Sequence, residues 1–382
     1  MSSQRSTSAD RAARAALSAV AEPGSLKVAQ RVANGGAEAT WNAIIQGDAR
    51  FDRDGVLGRR AEGVDGAGVL SRAAELEIRF VCPGDADWPT VLDTMPATLD
   101  AGAEAVPPPF GLWVRGRGSP AGIGPQAVAV VGARAATSYG VRVAADLAAD
   151  LATLGWTVVS GAAYGIDAAA HRGAMAMAGP THAVLACGLD IAYPRAHAEL
   201  LERIAGCGVV ISELPPGMKP MRSRFIARNR IIAGLTSGTV VVEAALRSGA
   251  LSTAHWAVKL GREVMVVPGP VTSQQSAGCH EWARNKGATL VTDAAEVVDA
   301  AGRLGVDAVS APVGENRPLD RFRPEERDVY ERMPAYAPVT VSELAECSGY
   351  SVPFVEASLR KLAGGGLVAE HDDGWARVPL AV

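Results

Sequence analysis

Between residues 128 and 291 one pattern recurs: a short β-branched apolar run, a turn, a helical stretch, then another run. The runs fall at residues 128–131, 157–160, 182–186, 209–212, 239–242, 263–267 and 289–291, with helical stretches such as 139–154, 166–177 and 250–260 between them. A strand that is apolar at nearly every position has both faces buried, and a strand followed by a helix returns to pair in parallel. The pattern therefore predicts an α/β fold: a Rossmann-like, doubly wound and mostly parallel sheet covered by helices on both faces. In such a sheet the ligand belongs at the carboxyl ends of the strands.

The flanks read differently. Residues 1–80 carry amphipathic stretches at 11–20, 26–32 and 39–46 broken by glycines, which predicts a small helical module. Residues 81–301 comprise the strand–helix region and its lead-in, where residues 101–110, with Pro107, Pro108 and Pro109, form a stiff extended connector. Residues 302–319 are a Gly/Pro/Asp-bearing linker. In 320–382, helices are expected at 325–333, 341–347 and 352–362, then two strands at 367–370 and 375–378 around Asp372, Asp373 and Gly374. Thr340 with Glu343 fits a capping box, and Ser351 before Pro353 fits a helix start. Three helices and a hairpin are the layout of a winged helix.

The formal net charge is only −4, so a polyanion site has to come from local clustering. No apolar run is long enough to span a bilayer, and the first residues lack the apolar core of a signal peptide. The cysteines, at 82, 187, 207, 279 and 347, are odd in number and form no C-x-x-C pair, which argues against a zinc ribbon and a disulfide framework. The expectation is a reduced, soluble, cytoplasmic protein without metal or cofactor.

Residues 219–230 concentrate the positive charge: Lys219, Arg222, Arg224, Arg228 and Arg230 put five cations into twelve residues, with no acid between Glu213 and Glu243. Arginine forks match phosphate oxygens, so the segment reads as a phosphate-gripping surface. With a helix starting near Ser223, Arg224 and Arg228 share a face at i,i+4 and form the expected phosphate-facing pair, while Arg230 points away and reads equally as scaffolding paired with Glu213 or Glu243. Phe225, among the arginines, is either a base-stacking ring or a core anchor.

Other strand-end loops add candidates. Gly132-Ala133-Arg134 follows the first run and precedes a helix that Ser138 is placed to cap, where Rossmann-type folds bind phosphate through free amides. It is not G-x-G-x-x-G, so a dinucleotide is not indicated. Ser160, Gly161 and Gly165 open the next helix, the glycines letting backbone approach a ligand. Asp167 and His171, at i,i+4, read as an acid/base pair or as a hydrogen-bonded network that holds the loop. Asp190 and Tyr193 lie in the loop after the third run; Tyr193 either stacks a base or packs under its proline turn. Ser248 and Gly249 offer further donors to a phosphate. Glu243 is hostile to a polyanion and reads as the partner of a nearby arginine.

In this order the blocks VVGAR, SGAAYGIDAAAH, GLDIAYP, ISELPPG, FIARNRIIAGL, VVVEAALRSGALSTA and VPGPV resemble the DNA-processing protein A family (DprA, also called Smf). The resemblance runs from Val128 to Val291, 164 of 382 residues, and RNRIIAGL and SGALSTA are its most specific parts. It implies a non-catalytic Rossmann-like domain that holds single-stranded DNA in a positive pocket, dimerises, and delivers the recombinase RecA to that DNA during natural transformation. Arg134 matches the family's glycine-x-arginine position, and Arg228, Asn229 and Arg230 its R-N-R. Ala133, Ile226 and His280 depart from the usual serine or threonine, proline and asparagine, but no cation is lost. By analogy the N-terminal module is a sterile-alpha-motif or helix-hairpin-helix-like unit. The C-terminal region, with eight basic against eleven acidic residues from Arg317 onward, is expected to contact protein rather than read a major groove.

Two other readings compete. Ser237-Gly238-Thr239 with Glu243 faintly resembles the lysine-decarboxylase-like nucleotide hydrolases (phosphoribohydrolases), with Glu243 catalytic. A pure interaction scaffold would bind no DNA even at low salt.

Overall fold

The computed structural model describes residues 6–96, 105–303 and 318–378. It divides into two compact units, Met1–Ser310 and Ala311–Val382. The first opens with five helices, α1 (Ser8–Val20), α2 (Leu26–Gly35), α3 (Ala37–Ile45), α4 (Val56–Ala61) and α5 (Gly66–Glu75), and two short strands, β1 (Arg79–Val81) and β2 (Leu112–Arg115). Then strands and helices alternate: β3 (Ala127–Val131), α6 (Ser138–Thr153), β4 (Thr157–Ser160), α7 (Ile166–Ala176), β5 (Thr181–Leu185), α8 (Ala198–Cys207) and β6 (Val209–Ser212). The series continues with α9 (Arg222–Gly234), β7 (Gly238–Val241), α10 (Leu251–Lys259), β8 (Glu263–Val266), α11 (Ala277–Asn285), β9 (Thr289–Leu290) and α12 (Ala294–Ala301).

The sheet order is β1-β2-β6-β5-β4-β3-β7-β8-β9. From β3 to β6 the chain winds one way, then crosses back through α9 to place β7 on the other side of β3. Neighbours from β6 to β9 are parallel, as the apolar runs predicted. The gap between the ends of β3 and β7 is thus the topological switch point, where this architecture usually opens a ligand crevice.

Alternation along β3 shows why both faces are covered. Val128 and Val130 face a layer with Ala144, Leu147 and Leu151 of α6, Ala169 and Ala170 of α7 and Val297 of α12. Ala127, Ala129 and Val131 face the opposite layer, which holds Ile231 and Ile232 of α9, Ala254 of α10 and Trp282 of α11. Burying each large aliphatic side chain contributes about 1.5–3 kcal/mol, so the sheet is a stiff platform for the loops at its ends.

β1 and β2 extend the sheet antiparallel from β6. At three and four residues they fall below the length at which alternation is readable. The helical module lies on this edge. Trp113 of β2, fully buried, packs on Phe80 at 4.4 Å between ring centroids and donates its indole N–H to Ser18 Oγ of α1 at 3.3 Å. Leu17, Val20, Val28, Ile44 and Phe51 form the module's own core. Of the proline connector, residues 105–110 are described and carry no regular secondary structure; Phe110 packs against that core.

The linker expected at 302–319 lies mostly outside the described residues. The second unit holds α13 (Pro324–Arg332), α14 (Val341–Ser348), α15 (Val352–Gly364) and a hairpin of β10 (Val368–His371) and β11 (Gly374–Arg377). Thr340 caps α14 reciprocally: its Oγ1 accepts the Glu343 N–H at 3.3 Å, and Glu343 Oε2 accepts the Thr340 N–H at 2.9 Å. Val329, Leu344, Leu359, Leu362 and Trp375 close the core. Among the described residues, no helix is long and apolar enough to cross a membrane.

Candidate nucleic-acid interface

Three chain segments bring a cation and two rings together at the carboxyl edge of the sheet. Arg134, exposed in the loop after β3, holds its guanidinium carbon 5.0 Å from the centre of the Phe225 ring. Phe225 comes from the first turn of α9 and meets Tyr193, from the loop after β5, at 5.3 Å between centroids. Arg134 makes no hydrogen bond or ion pair among the described residues, so its five donors are available to a ligand. Lys219 and Arg222, just before and at the start of α9, are exposed, and neither side chain makes a hydrogen bond among the described residues.

Sequence reasoning missed two residues here. Tyr164, nearly half exposed in the loop after β4, meets His197 edge-on at 4.7 Å, and His197 Nδ1 in turn lies 3.0 Å from the Ala162 carbonyl oxygen. That contact brings the segment after Tyr193, with exposed Arg195, beside the glycine loop. An aromatic between two glycines, and a cation two residues after Tyr193, were the available signals.

The arginines of α9 are placed differently from the expected pair. Arg224 and Arg228 share a face, but that face is buried, at 6% and 7% exposure. Arg224 donates Nε and Nη2 to the Glu22 carboxylate at 3.0 and 3.1 Å and Nη1 to the Lys219 carbonyl at 2.7 Å. Arg228 donates to the carbonyls of Gly161, at 2.9 Å, and Val184, and its Nε to Asn229 Oδ1 at 3.0 Å. Strand ends leave carbonyls without ladder partners, and a buried guanidinium satisfies them. Burial pushes the Arg228 pKa down to about 10, against the opposing pull of Asp167, so it remains charged at neutral pH. Arg230, 1% exposed, forks onto Glu213 with Nη1 and Nη2, the latter at 2.6 Å, and gives Nε to the Pro107 carbonyl at 2.8 Å. This is the scaffolding alternative for Arg230.

The glycine loop serves the same network. A Cβ on Gly161 would stand 2.5 Å from the Arg228 nitrogens, so the close approach is to a guanidinium of the chain itself, not to a ligand. Gly165 has φ +75°, and a Cβ there would meet the Ala133 carbonyl oxygen at 2.3 Å, which locks this loop against the Arg134 loop. Ser160 Oγ is buried and donates to the Val130 carbonyl at 2.7 Å. Asp167 and His171 do not pair. Asp167 accepts the amides of Gly161 and Ala163 at 3.2 and 3.3 Å, whereas His171 Nδ1 lies 2.7 Å from Thr181 Oγ1. Burial raises the Asp167 pKa, against Arg228 and these amides.

At the switch point, the expected phosphate slot is filled from within. Thr137, not Ser138, is the N-cap of α6. Glu243, which follows β7 and is 1% exposed, accepts the Thr137 N–H at 2.9 Å and the Thr137 hydroxyl at 2.5 Å. A Cβ on Gly140 would lie 2.3 Å from that carboxyl group. Glu243 therefore partners a helix N-terminus rather than an arginine, because the amides there are unpaired and the helix dipole favours an anion. The remaining candidates brace loops. Asp190 accepts the Gly217 N–H at 2.9 Å, and Ser248 Oγ accepts the Ala250 N–H at 3.3 Å. Asn229 Nδ2 donates to the Gly249 carbonyl at 3.3 Å and to Ser252 Oγ at 2.6 Å, tying α9 to α10.

The chain is similar to known proteins over most of its length. The sequence model of the family described as DNA recombination-mediator protein A matches residues 79–302. A Mycobacterium tuberculosis protein described as a putative DNA processing protein DprA is 44% identical over 372 residues, spanning 94% of this chain and 92% of its own. Protein Smf of Escherichia coli is 39% identical over 264 residues, 66% of this chain and 68% of its own. The crystal structure of DNA processing protein A from Streptococcus pneumoniae superposes with a TM-score of 0.62 at 30% identity, covering 78% of this chain and all of that one.

Proposed function

The chain belongs to the DNA recombination-mediator protein A family, and from that premise we propose that it binds single-stranded DNA along the carboxyl edge of its sheet. The array of Arg134, Phe225 and Tyr193 carries this reading. It sets a cation with no hydrogen bond or ion pair among the described residues beside exposed Tyr193 and partly exposed Phe225, the combination that takes a phosphate and an unstacked base. Lys219 and Arg222 extend the positive surface. Arg224, Arg228, Arg230 and Asn229 hold its shape from below.

The protein acts by binding, without turnover, and the strand it holds is handed to RecA for recombination, in natural transformation where the cell takes up DNA. A homodimer in the cytoplasm is part of the same reading, which the five unpaired thiols suit. The C-terminal unit is read as a winged helix that contacts protein. The hydrolase alternative requires a reachable Glu243; its burial and its bonds to Thr137 favour binding over catalysis.

The test is a titration of oligo-dT and duplex DNA at two salt concentrations. Preference for the single strand, weakened by Arg134→Ala, is expected. Equal affinity for duplex, or an unchanged Arg134→Ala variant, overturns the reading. Release of base from a nucleoside monophosphate, lost in Glu243→Gln, would restore the hydrolase.

A further inference from the structure

A pocket of about 400 Å³ opens in the helical module, between α2, α3 and Phe51. Lys27 and Arg31, one turn apart on α2, both lie over the ring of Phe51, their charged groups 5.0 and 4.7 Å from its centre. Gln30 and Asn34, from the same helix, and Thr40, from α3, add polar groups to the wall. Among the described residues, no carboxylate lines the pocket. Two acids stand beside the pocket cations: Asp48 bridges Arg31 at 3.2 Å, and Asp52, buried, accepts the Gly58 N–H at 2.8 Å and feels the charge of Lys27. Lys27, Gln30 and Asn34 make no side-chain hydrogen bond or ion pair among the described residues.

Asp48 partly neutralises Arg31, whereas Lys27 has the ring but no ion pair among the described residues. An anion beside Lys27 gives that ammonium a partner and supplies acceptors for the Gln30 and Asn34 amides. We propose that this pocket is a phosphate-binding site and that its phosphate comes from the backbone of a polynucleotide. Its place in the fold supports that source. The turn leading into α2 rests on the cationic helix α9: a Cβ on Gly24 would lie 3.6 Å from the Arg230 guanidinium. Lys27 is three residues further on, within about 11 Å of chain. Glu22, the acid that stands on that route, is taken up by Arg224 and Arg60. The polynucleotide source rests on the single-strand reading above; the phosphate chemistry does not.

The test uses the full chain with Lys27→Glu and Asn34→Asp, two exposed positions whose substitution leaves the module's core intact. Binding is measured to oligo-dT of about 6 and about 20 nucleotides, lengths on either side of a single-site footprint, and to adenosine monophosphate. With unchanged melting temperatures, Lys27→Glu is expected to weaken the long oligomer about tenfold and leave the short one unaltered, with Asn34→Asp weaker in the same direction. If adenosine monophosphate binds the parent and is lost in Lys27→Glu, while both oligomers bind as before, the site takes phosphate from a free nucleotide, which overturns the polynucleotide source alone. If both variants bind all three probes like the parent, the phosphate site is overturned. Arg134→Ala separates the two readings: it acts on both lengths if the sheet edge holds DNA, and its failure to do so leaves the Lys27 comparison intact.

Discussion

The guanidinium of Arg228 occupies the space that a side chain on Gly161 would need: a Cβ at position 161 would stand 2.5 Å from its nitrogens. One residue of α9 is thus fitted to one residue of the loop after β4. Gly161→Ala is expected to destabilise the protein by about 1–3 kcal/mol through overpacking. Arg228→Ala, which leaves two carbonyls and Asp167 without their cation, is expected to cost about 3 kcal/mol or more. Urea unfolding of both variants measures this; a parent-like Arg228→Ala midpoint would show that the arginine is not structural.

Arg134→Ala is expected to do the reverse. The side chain is exposed and unpaired among the described residues, so melting temperature should not move. Affinity for oligo-dT should fall, and the slope of log affinity against log salt should flatten by about 0.7, the share of one single-strand phosphate. Anisotropy titrations over a range of salt concentrations read both quantities.

Phe225→Leu separates stacking from charge. Loss of one base–ring contact is expected to cost about 1–3 kcal/mol of binding while leaving the salt slope unchanged. A flattened slope would mean that the substitution had moved Arg134 off its ring.

Arg230 and Glu213 form a nearly water-free pair, so removing one member should cost more than removing both. Arg230→Ala alone is expected to destabilise by about 3–5 kcal/mol. Arg230→Met with Glu213→Leu should recover much of the loss, as a double-mutant cycle in urea would show.

Two buried histidines set an acid limit. The Thr181 hydroxyl donates to Val158, so His171 Nδ1 must donate to that oxygen, leaving Nε2 buried without a partner to receive a second proton. His182 Nδ1 accepts the Val209 N–H, a bond that protonation would break. Burial pushes their pKa values down to about 3 and about 4. Both lie below the unfolded value near 6.5, so the unfolded chain binds protons first as pH falls. Their stabilisation is complete above that value and is lost as pH falls, toward pH 4 for His182 and pH 3 for His171, with a slope of about 1.4 kcal/mol per pH unit for each histidine. Melting temperature should drop between pH 6.5 and 4.5, and His182→Asn should flatten the drop.

The parallel sheet was legible because apolar runs at β-strand length admit few arrangements, and β4 and β6 begin and end where the runs do. The glycine loop and the cationic helix were legible as a site region for the same reason. The roles within them were not. Arg224 and Arg134 are the same residue type, yet the partner of Arg224 is Glu22, far off in sequence, and only the folded packing of the helical module on α9 reveals it. Glu243 was misread in the same way: its partner is a backbone amide, and amides leave no signature in a sequence.

That carboxylate also closes the switch point to a second anion. A Rossmann-type switch point left open competes for every free nucleotide in its surroundings. Here Glu243 is a permanent occupant, held at the helix terminus by the Thr137 amide and hydroxyl. A nucleotide phosphate entering that slot would have to displace an anion that the fold itself supplies.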